Sequence, residues 1–272
     1  SNLLPQGLNR EWTLDTWMKI AEKVKALGIY PTMFFCNGAS GDYMMLENFK
    51  IFGANLYENG DYTKTTLNSE AGVKALEWMI DMVKKGYAPQ GVAGFTDDHY
   101  VNMFFSGKFA MGGLNTILDR TFAERNYKNG LIDYIADFYL VQTPHIKGAP
   151  APGIYTGPNS FVVFKCESEE EKEAGVKLVK FMTNKESIQK ICDTDKNVLS
   201  PRRSTIMRSE NLKVIQTTIA QNGIADLGIT SPHYLEVRNL LYPELQAAFL
   251  GKKSPRQALN DFAKAVEKLW KK

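Results

Sequence analysis

Apolar residues recur at helical spacing along much of the chain, and each run carries its own start and stop signals. Leu14, Trp17, Met18, Ala21, Val24 and Leu27 follow Thr13, whose hydroxyl suits a helix N-cap, and the run ends at Gly28. Tyr43 to Phe52 keeps the same period through Leu46, Phe49 and Phe52. Ser69 to Lys85 sets Val73, Leu76, Ile80 and Val83 on one face, and Gly86 closes it. Asp97 is the expected cap of a shorter helix over Val101 to Ser106, and Ile117 to Arg125 reads as another. Ser168 and Glu171 form a capping box for a helix reaching Met182, with Asn184 to Asp193 a second one behind it. Ser254, Pro255 and Gln257 open a last helix whose apolar face is Leu259, Phe262, Val266 and Leu269.

Between these helices lie stretches with strand character. Ile29 to Phe35 and Tyr134 to Gln142 read as strands, and Phe161-Val162-Val163-Phe164 is a continuous apolar run that suits a buried one. Gly38 to Asp42, Gly53 to Thr66 and Thr143 to Gly157 are loops or connectors by their Gly, Asn, Asp and Pro content. Strands that alternate with helices predict an α/β protein.

Phe104 to Gly113 is the most informative short stretch. An apolar helix ends at Gly107, where a left-handed residue is wanted, and Lys108 to Met111 follows as a very short strand. Gly112 and Gly113 then permit the backbone to approach a neighbour closely. In an α/β protein such a glycine-ended strand opens on the ligand crevice. Its plain alternative is a tight turn.

With 44% hydrophobic and 23% charged residues, 272 residues can bury a sizeable core in one or two domains. No apolar run is long enough to cross a bilayer. The net charge of +3 is spread along the chain, which argues against nucleic acid as a partner. Cys36, Cys166 and Cys192 are far apart and show neither metal-ligand spacing nor a disulfide framework. The chain begins Ser1-Asn2 with no basic or apolar leader; Ser1-Asn2 reads as a scar of tag removal, with any targeting segment already lost, so the missing leader says nothing about location.

Catalytic constellations are weak. Asp97-Asp98-His99 offers metal-ligating atoms, but adjacent helical residues face different ways, and an acidic pair at a helix start is more simply a cap. No nucleophile elbow, P-loop or dinucleotide fingerprint is present. Aromatic and small polar residues are the better lead. Tyr43, Tyr155, Phe35 and Trp12 lie in or beside loops that also hold Asn37, Ser40, Asp42, Asn115, Asn159 and Ser160. A polyol ligand needs flat apolar faces to stack on and polar groups for its hydroxyls. Arg202-Arg203 and Arg238 sit in turn-rich segments, and a guanidinium fork there suits a carboxylate or phosphate.

Taken in order, several motifs resemble the extracellular solute-binding proteins of bacterial ABC importers, the maltose-, multiple-sugar- and glycerol-3-phosphate-binding family. They are Arg10 to Trp17, Gly41 to Phe49, Phe105 to Gly113, Tyr155 to Ser160, Leu199 to Arg203, Val237-Arg238 with Tyr242 to Leu245, and Gly251 to the end. The glycerol-phosphate branch carries two tryptophans where this chain has Ser40 and Tyr43, so one stacking face is lost.

The resemblance implies a type II periplasmic-binding-protein-like α/β fold. Residues 1–160 and 201–272 would form the second lobe, and 161–200 a piece of the first. Family members begin with a longer β-α-β segment, so the chain resembles a C-terminal portion whose 161–200 helices lack partners for their apolar faces. It further implies capture of a mono- or oligosaccharide in an interlobe cleft, without catalysis, metal or cofactor. Tyr43 would stack on a sugar ring, Asp42 and Ser40 would flank it, and Tyr155 would line the cleft. Asn115, Asn159 and the amides near Gly113 and Gly157 would bond hydroxyls, while Arg238 and Arg202 would hold an anionic or hydroxyl-rich end. The implied setting is extracellular, lipid-anchored or periplasmic, as a monomer that hands its solute to membrane subunits. Rival readings are a glycerol-3-phosphate or glycerophosphodiester ligand, an α/β glycoside hydrolase with paired carboxylates, and an adhesin with an exposed apolar patch.

Overall fold

The computed structural model describes residues 3–7, 10–38, 42–113, 124–135, 139–149, 151–155, 160–194, 199–206 and 209–271. The helices form largely where the apolar period runs. Helix α1 spans Leu14–Ala26, with the Thr13 hydroxyl accepting from the Thr16 amide at 3.4 Å. Its expected face overreaches by one residue: Leu27 is the C-cap and lies exposed, because the helix has ended before it. Helix α2 spans Asp42–Lys50 and α3 spans Glu70–Lys84, the latter capped by Ser69. Helix α4 spans Asp97–Phe105. Its cap is Thr96 rather than Asp97: the Thr96 amide donates to His99 Nδ1 at 3.3 Å, and the Thr96 hydroxyl lies 2.8 Å from the same atom. His99 Nδ1 thereby serves the helix start.

The core gathers around an extended segment rather than a regular sheet. Residues 31–36 are buried. On one side Tyr30 and Pro31 exchange hydrogen bonds with Lys108, Ala110 and Met111, giving a parallel bridge from Tyr30 to Phe109. On the other, the amides of Thr32, Cys36 and Asn37 donate to Tyr87, Val92 and Phe95. The expected strand over Ile29 to Phe35 is thus extended and buried, but its partners are loops. Residues 139–145 do the same beside the chain start, with a single bridge from Thr13 to His145. Trp78 of α3, partly buried, packs against this core, its ring 5.5 Å from Trp17, 5.7 Å from Phe52 and 5.8 Å from Phe34. Such aromatic contacts add to simple burial.

The one regular sheet among the described residues is a parallel pair, β1 (Ile154–Tyr155) beside β2 (Ile224–Ala225). The chain leaves along β1 and returns along β2 after three helices. These are α5 (Glu169–Met182), α6 (Lys185–Thr194) and α7 (Glu210–Asn222). Ser168 caps α5 and Asn184 caps α6, both by side-chain acceptors. The last two helices, α8 (Tyr234–Phe249) and α9 (Pro255–Leu269), pack on each other and return to the core through Leu241, Leu245, Leu259 and Phe262. Lys253 clips them together, its Nζ 2.5 Å from Glu244 and 2.8 Å from Asp261. Helix α8 arises where turn-rich sequence had been read, and it carries Pro243 inside it.

Segment 161–206 stands apart from this core. None of the buried core cluster comes from it. Phe161 to Phe164 is not a buried strand: Phe164 is 83% exposed, and Val162 is exposed too. On α5, Leu178 is exposed and Phe181 is 67% exposed, and no residue of that helix is buried. Within the segment Ile188 and Cys192 are buried and Val163 lies against Gly175, but the exposed faces of Phe164, Leu178 and Phe181 are not covered among the described residues.

Candidate functional site

The Phe104 to Gly113 stretch keeps the expected helix end and glycine stop, but the expected strand over Lys108 to Met111 is a single bridge at Phe109. Lys108 donates to the Met103 carbonyl and Gly107 to Phe104, the two bonds of a Schellman cap, with Gly107 at φ +69. A Cβ at Gly107 would stand 1.7 Å from the Tyr134 hydroxyl, and one at Gly112 would stand 1.8 Å from the Tyr100 hydroxyl. The close approach at Gly112 is therefore to the protein's own buried phenol. Gly113 differs: a Cβ there would meet the Met44 backbone at an ordinary 3.5 Å. Gly113 thus lies against the first turn of α2, next to Tyr43.

Helix α2 joins three of the expected site residues. Tyr43 is half-buried at its start and packs on the core. One turn later Glu47 faces the same way. Its Oε1 accepts the Tyr155 amide of β1 at 2.7 Å, and its Oε2 accepts the Thr143 hydroxyl at 2.9 Å. A further turn on, the Lys50 ammonium lies 4.9 Å over the Tyr155 ring and donates to Asn55 at 3.3 Å. The Tyr155 hydroxyl accepts from the Leu56 amide at 3.3 Å.

Tyr155 is 6% exposed and engaged at amide, ring and hydroxyl, so its part is to fix where β1 runs rather than to offer a free face. The Glu47 residue keeps some exposure while its carboxylate is enclosed, and that burial pushes its carboxyl above the ordinary range against the pull of these hydrogen bonds and of Lys50. Lys50 is pushed down by its own burial, with the Glu47 charge opposing. Glu47 and Lys50 went unremarked in the sequence reading; the available signal was two opposite charges at i and i+3 in a helix rich in apolar residues.

Arg238 lies on α8, where Nη1 donates to the Tyr234 hydroxyl at 3.0 Å and the guanidinium stacks 4.8 Å from the Tyr234 ring. Tyr234 was also missed; its place one helical turn before Arg238 becomes visible only once the segment is known to be helical. Arg202 lies elsewhere, exposed, with its Nε donating to the Thr183 carbonyl at the end of α5. Ser40, Asn115, Gly157 and Asn159 lie outside the described residues, and Asp42 opens α2. The remaining histidines have structural contacts: His145 joins Glu11 at 2.9 Å to the Ile146 carbonyl at 3.0 Å, and His233 meets the Trp270 ring edge-on. Among the described residues no group of three or more His, Cys, Asp or Glu could hold a metal.

Residues 4–212 match the family described as bacterial extracellular solute-binding protein. The chain belongs to that family. Among curated proteins it is similar to the sn-glycerol-3-phosphate-binding periplasmic protein UgpB of Salmonella typhimurium, 26% identical over 281 residues covering 93% of this chain and 60% of UgpB. UgpB of Salmonella typhi gives the same figures. The chain therefore spans 60% of the length of these relatives.

Solved structures with a similar fold include an ABC transporter solute-binding protein from Thermotoga lettingae bound with alpha-D-tagatose. Its TM-score is 0.69 at 20% identity, over 95% of this chain and 64% of that one. Maltose-bound MalE3 of T. maritima aligns with a TM-score of 0.66 at 20% identity, over 95% of this chain and 66% of that one. The predicted periplasmic-binding-protein-like α/β class is the class these neighbours share, helix-rich as seen here.

Proposed function

We propose that this family member captures a carbohydrate outside the cytoplasmic membrane and passes it to the membrane subunits of an ABC importer, without catalysis. The carrying observation is the Tyr234–Arg238 pair. It stacks a guanidinium over one face of an aromatic ring in the first turn of α8. A sugar ring has an apolar face for such a ring and hydroxyls for donors beside it. Tyr43 and the Gly113 amide would supply a second stacking and bonding pair at the start of α2. Asp42, Ser40, Asn115, Gly157 and Asn159 would serve the remaining hydroxyls, and Arg202 an anionic or hydroxyl-rich end. Support for a sugar comes from the solved relatives that hold tagatose and maltose.

The boundaries proposed for the lobes are 1–160 with 201–272, and 161–200. The exposed apolar face of α5 and Phe164 supports assigning 161–200 to another lobe. Closure of two lobes over a ligand is a hinge motion, and β1 beside β2 is where it would pivot.

A second reading, glycerol-3-phosphate or a phosphodiester, is favoured by the UgpB likeness and by a guanidinium fork suited to phosphate. Calorimetric titration of the 272-residue chain with maltose, D-tagatose and sn-glycerol-3-phosphate separates the two. Sugar binding that survives, weakened, in Arg238→Ala supports the first reading. Binding confined to glycerol-3-phosphate and lost in Arg238→Ala overturns it.

A further inference from the structure

The turn that follows β2 builds a pocket distinct from Tyr43 and Arg238, although it leads directly into α8. Gly228 is at φ +71, and a Cβ there would stand 2.4 Å from Cε2 of Tyr57, so only glycine lets this turn press on that ring. Tyr57 in turn meets the Tyr62 ring edge-on at 5.2 Å. Asp226 Oδ1 accepts the Gly228 amide at 2.7 Å, and its Oδ2 accepts the Tyr62 hydroxyl at 2.9 Å. The Tyr62 oxygen also lies 3.0 Å from Thr230 Oγ1. The Tyr62 side chain is therefore held at its hydroxyl and braced by the Tyr57 ring. Beside it lies an open depression of about 320 Å³, lined by Leu227 and by Ile224 and Ile229, which are 57% and 43% exposed. That is the small end of ligand-pocket size, with room for one sugar ring.

Proton counting sets the chemistry. Tyr62 has one proton, and it goes to Asp226. Thr230 must then donate its own proton to the Tyr62 oxygen, which leaves the Thr230 lone pairs outward. A carboxylate has about four acceptor positions, and two on Asp226 are used. The side-chain positions left in this pocket accept hydrogen bonds and do not donate them. Such a site suits a hydroxyl-rich neutral ring that can lay its apolar face on Tyr62 and the isoleucines, and it opposes an anion. A pre-formed platform also spares the ordering cost of binding.

We propose that Tyr62, Asp226 and Thr230 form a second carbohydrate subsite, which takes a neutral sugar ring and turns away phosphate-bearing ligands. The proposal rests on the carbohydrate reading above.

The 272-residue chain, labelled with 3-fluorotyrosine, allows each ring to be followed by fluorine NMR. Loss of one signal in Tyr62→Phe identifies Tyr62, and Tyr43→Phe and Tyr234→Phe identify the other two. Titration with maltotriose should move the Tyr62 signal saturably, and sn-glycerol-3-phosphate should leave it in place. Asp226→Asn keeps the turn's acceptor but loses the charge, and should weaken the maltotriose effect about five- to tenfold. If maltotriose moves Tyr43 or Tyr234 but not Tyr62, the subsite is wrong and the carbohydrate reading stands. A Tyr62 signal that responds equally to glycerol-3-phosphate overturns the acceptor argument. If no tyrosine signal responds to maltotriose, the carbohydrate reading fails and the subsite with it.

Discussion

The carboxylate of Glu47 holds the backbone amide of Tyr155 at 2.7 Å, and so ties the middle of α2 to the strand along which the chain leaves the core. Helix α2 starts at the candidate ligand groups Asp42 and Tyr43 and ends at Lys50, above the Tyr155 ring. One short helix therefore links the expected binding edge to the crossing strand. Glu47→Ala removes the acceptor of two hydrogen bonds, and bonds to a charged group contribute about 1.5–3 kcal/mol each. Amide hydrogen exchange at Tyr155 should accelerate by at least an order of magnitude in this variant, with amides in α9 much less affected.

The same carboxyl makes stability depend on pH. A carboxyl raised above its ordinary value binds its proton more tightly in the folded chain than in the unfolded one. Its contribution is full below the ordinary carboxylate range and is lost as pH rises through the folded value. Lys50 is shifted downward, so its contribution is present at high pH and is lost as pH falls from the alkaline side. As pH rises above the ordinary carboxylate range, Tm of the protein should fall relative to that of Glu47→Gln, which cannot titrate. Thermal unfolding of both from that range upward checks the sign.

Gly72 poses a contest between propensity and space. It lies in the first turn of α3, where alanine would gain about 1 kcal/mol of helix propensity. A Cβ there would stand 1.8 Å from the Leu67 carbonyl oxygen, a backbone atom that cannot rotate away. Overpacking of this kind costs about 1–3 kcal/mol and more when backbone must move. Gly72→Ala should therefore destabilise, by about 1–2 kcal/mol net, as read from the denaturant midpoint.

The uncovered face of segment 161–206 should respond to polar substitution in the opposite way from a core. Phe164→Ser with Phe181→Ser removes two large apolar side chains that are mostly in water. Their combined effect on stability should stay within about 1 kcal/mol, since exposed positions away from special contacts change little. Binding of a hydrophobic dye and self-association at high concentration should both drop. By contrast, Phe262→Ala, in the buried face of α9, should cost about 3–5 kcal/mol.

Cysteine chemistry offers a further check. Burial pushes the Cys36 thiol up to about 12, so it supplies almost no thiolate near neutral pH. Cys192 is buried as well, while Cys166 is partly exposed. A thiol reagent at pH 8 should modify Cys166 first, and Cys36 only once the chain is unfolded.

Local signals proved reliable where one turn of chain decides the outcome. Thr13, Ser69, Ser168 and Ser254 each cap the helix that the apolar period foretold, because a cap needs only its own next three residues. The glycine at 107 likewise ends α4 by local geometry. Local reading failed where the environment decides. The Phe161 to Phe164 run has the composition of a buried strand, yet only Val163 is partly covered, against Gly175 of α5, and Phe164 stays 83% exposed among the described residues.

For the site, the family likeness was legible in the chain alone, and so was the close backbone approach at Gly112. Only the tertiary structure decided what the candidate residues do. It set Gly112 against Tyr100 and Gly113 against the start of α2. It turned Tyr155 inward onto Glu47, Lys50 and Leu56, and paired Arg238 with Tyr234. It also brought Tyr62 to Asp226 across more than 160 residues of sequence. Periodicity and capping are properties of neighbouring residues and can be read in one dimension. The partner of a side chain is set by how distant segments pack, and that is decided only in three.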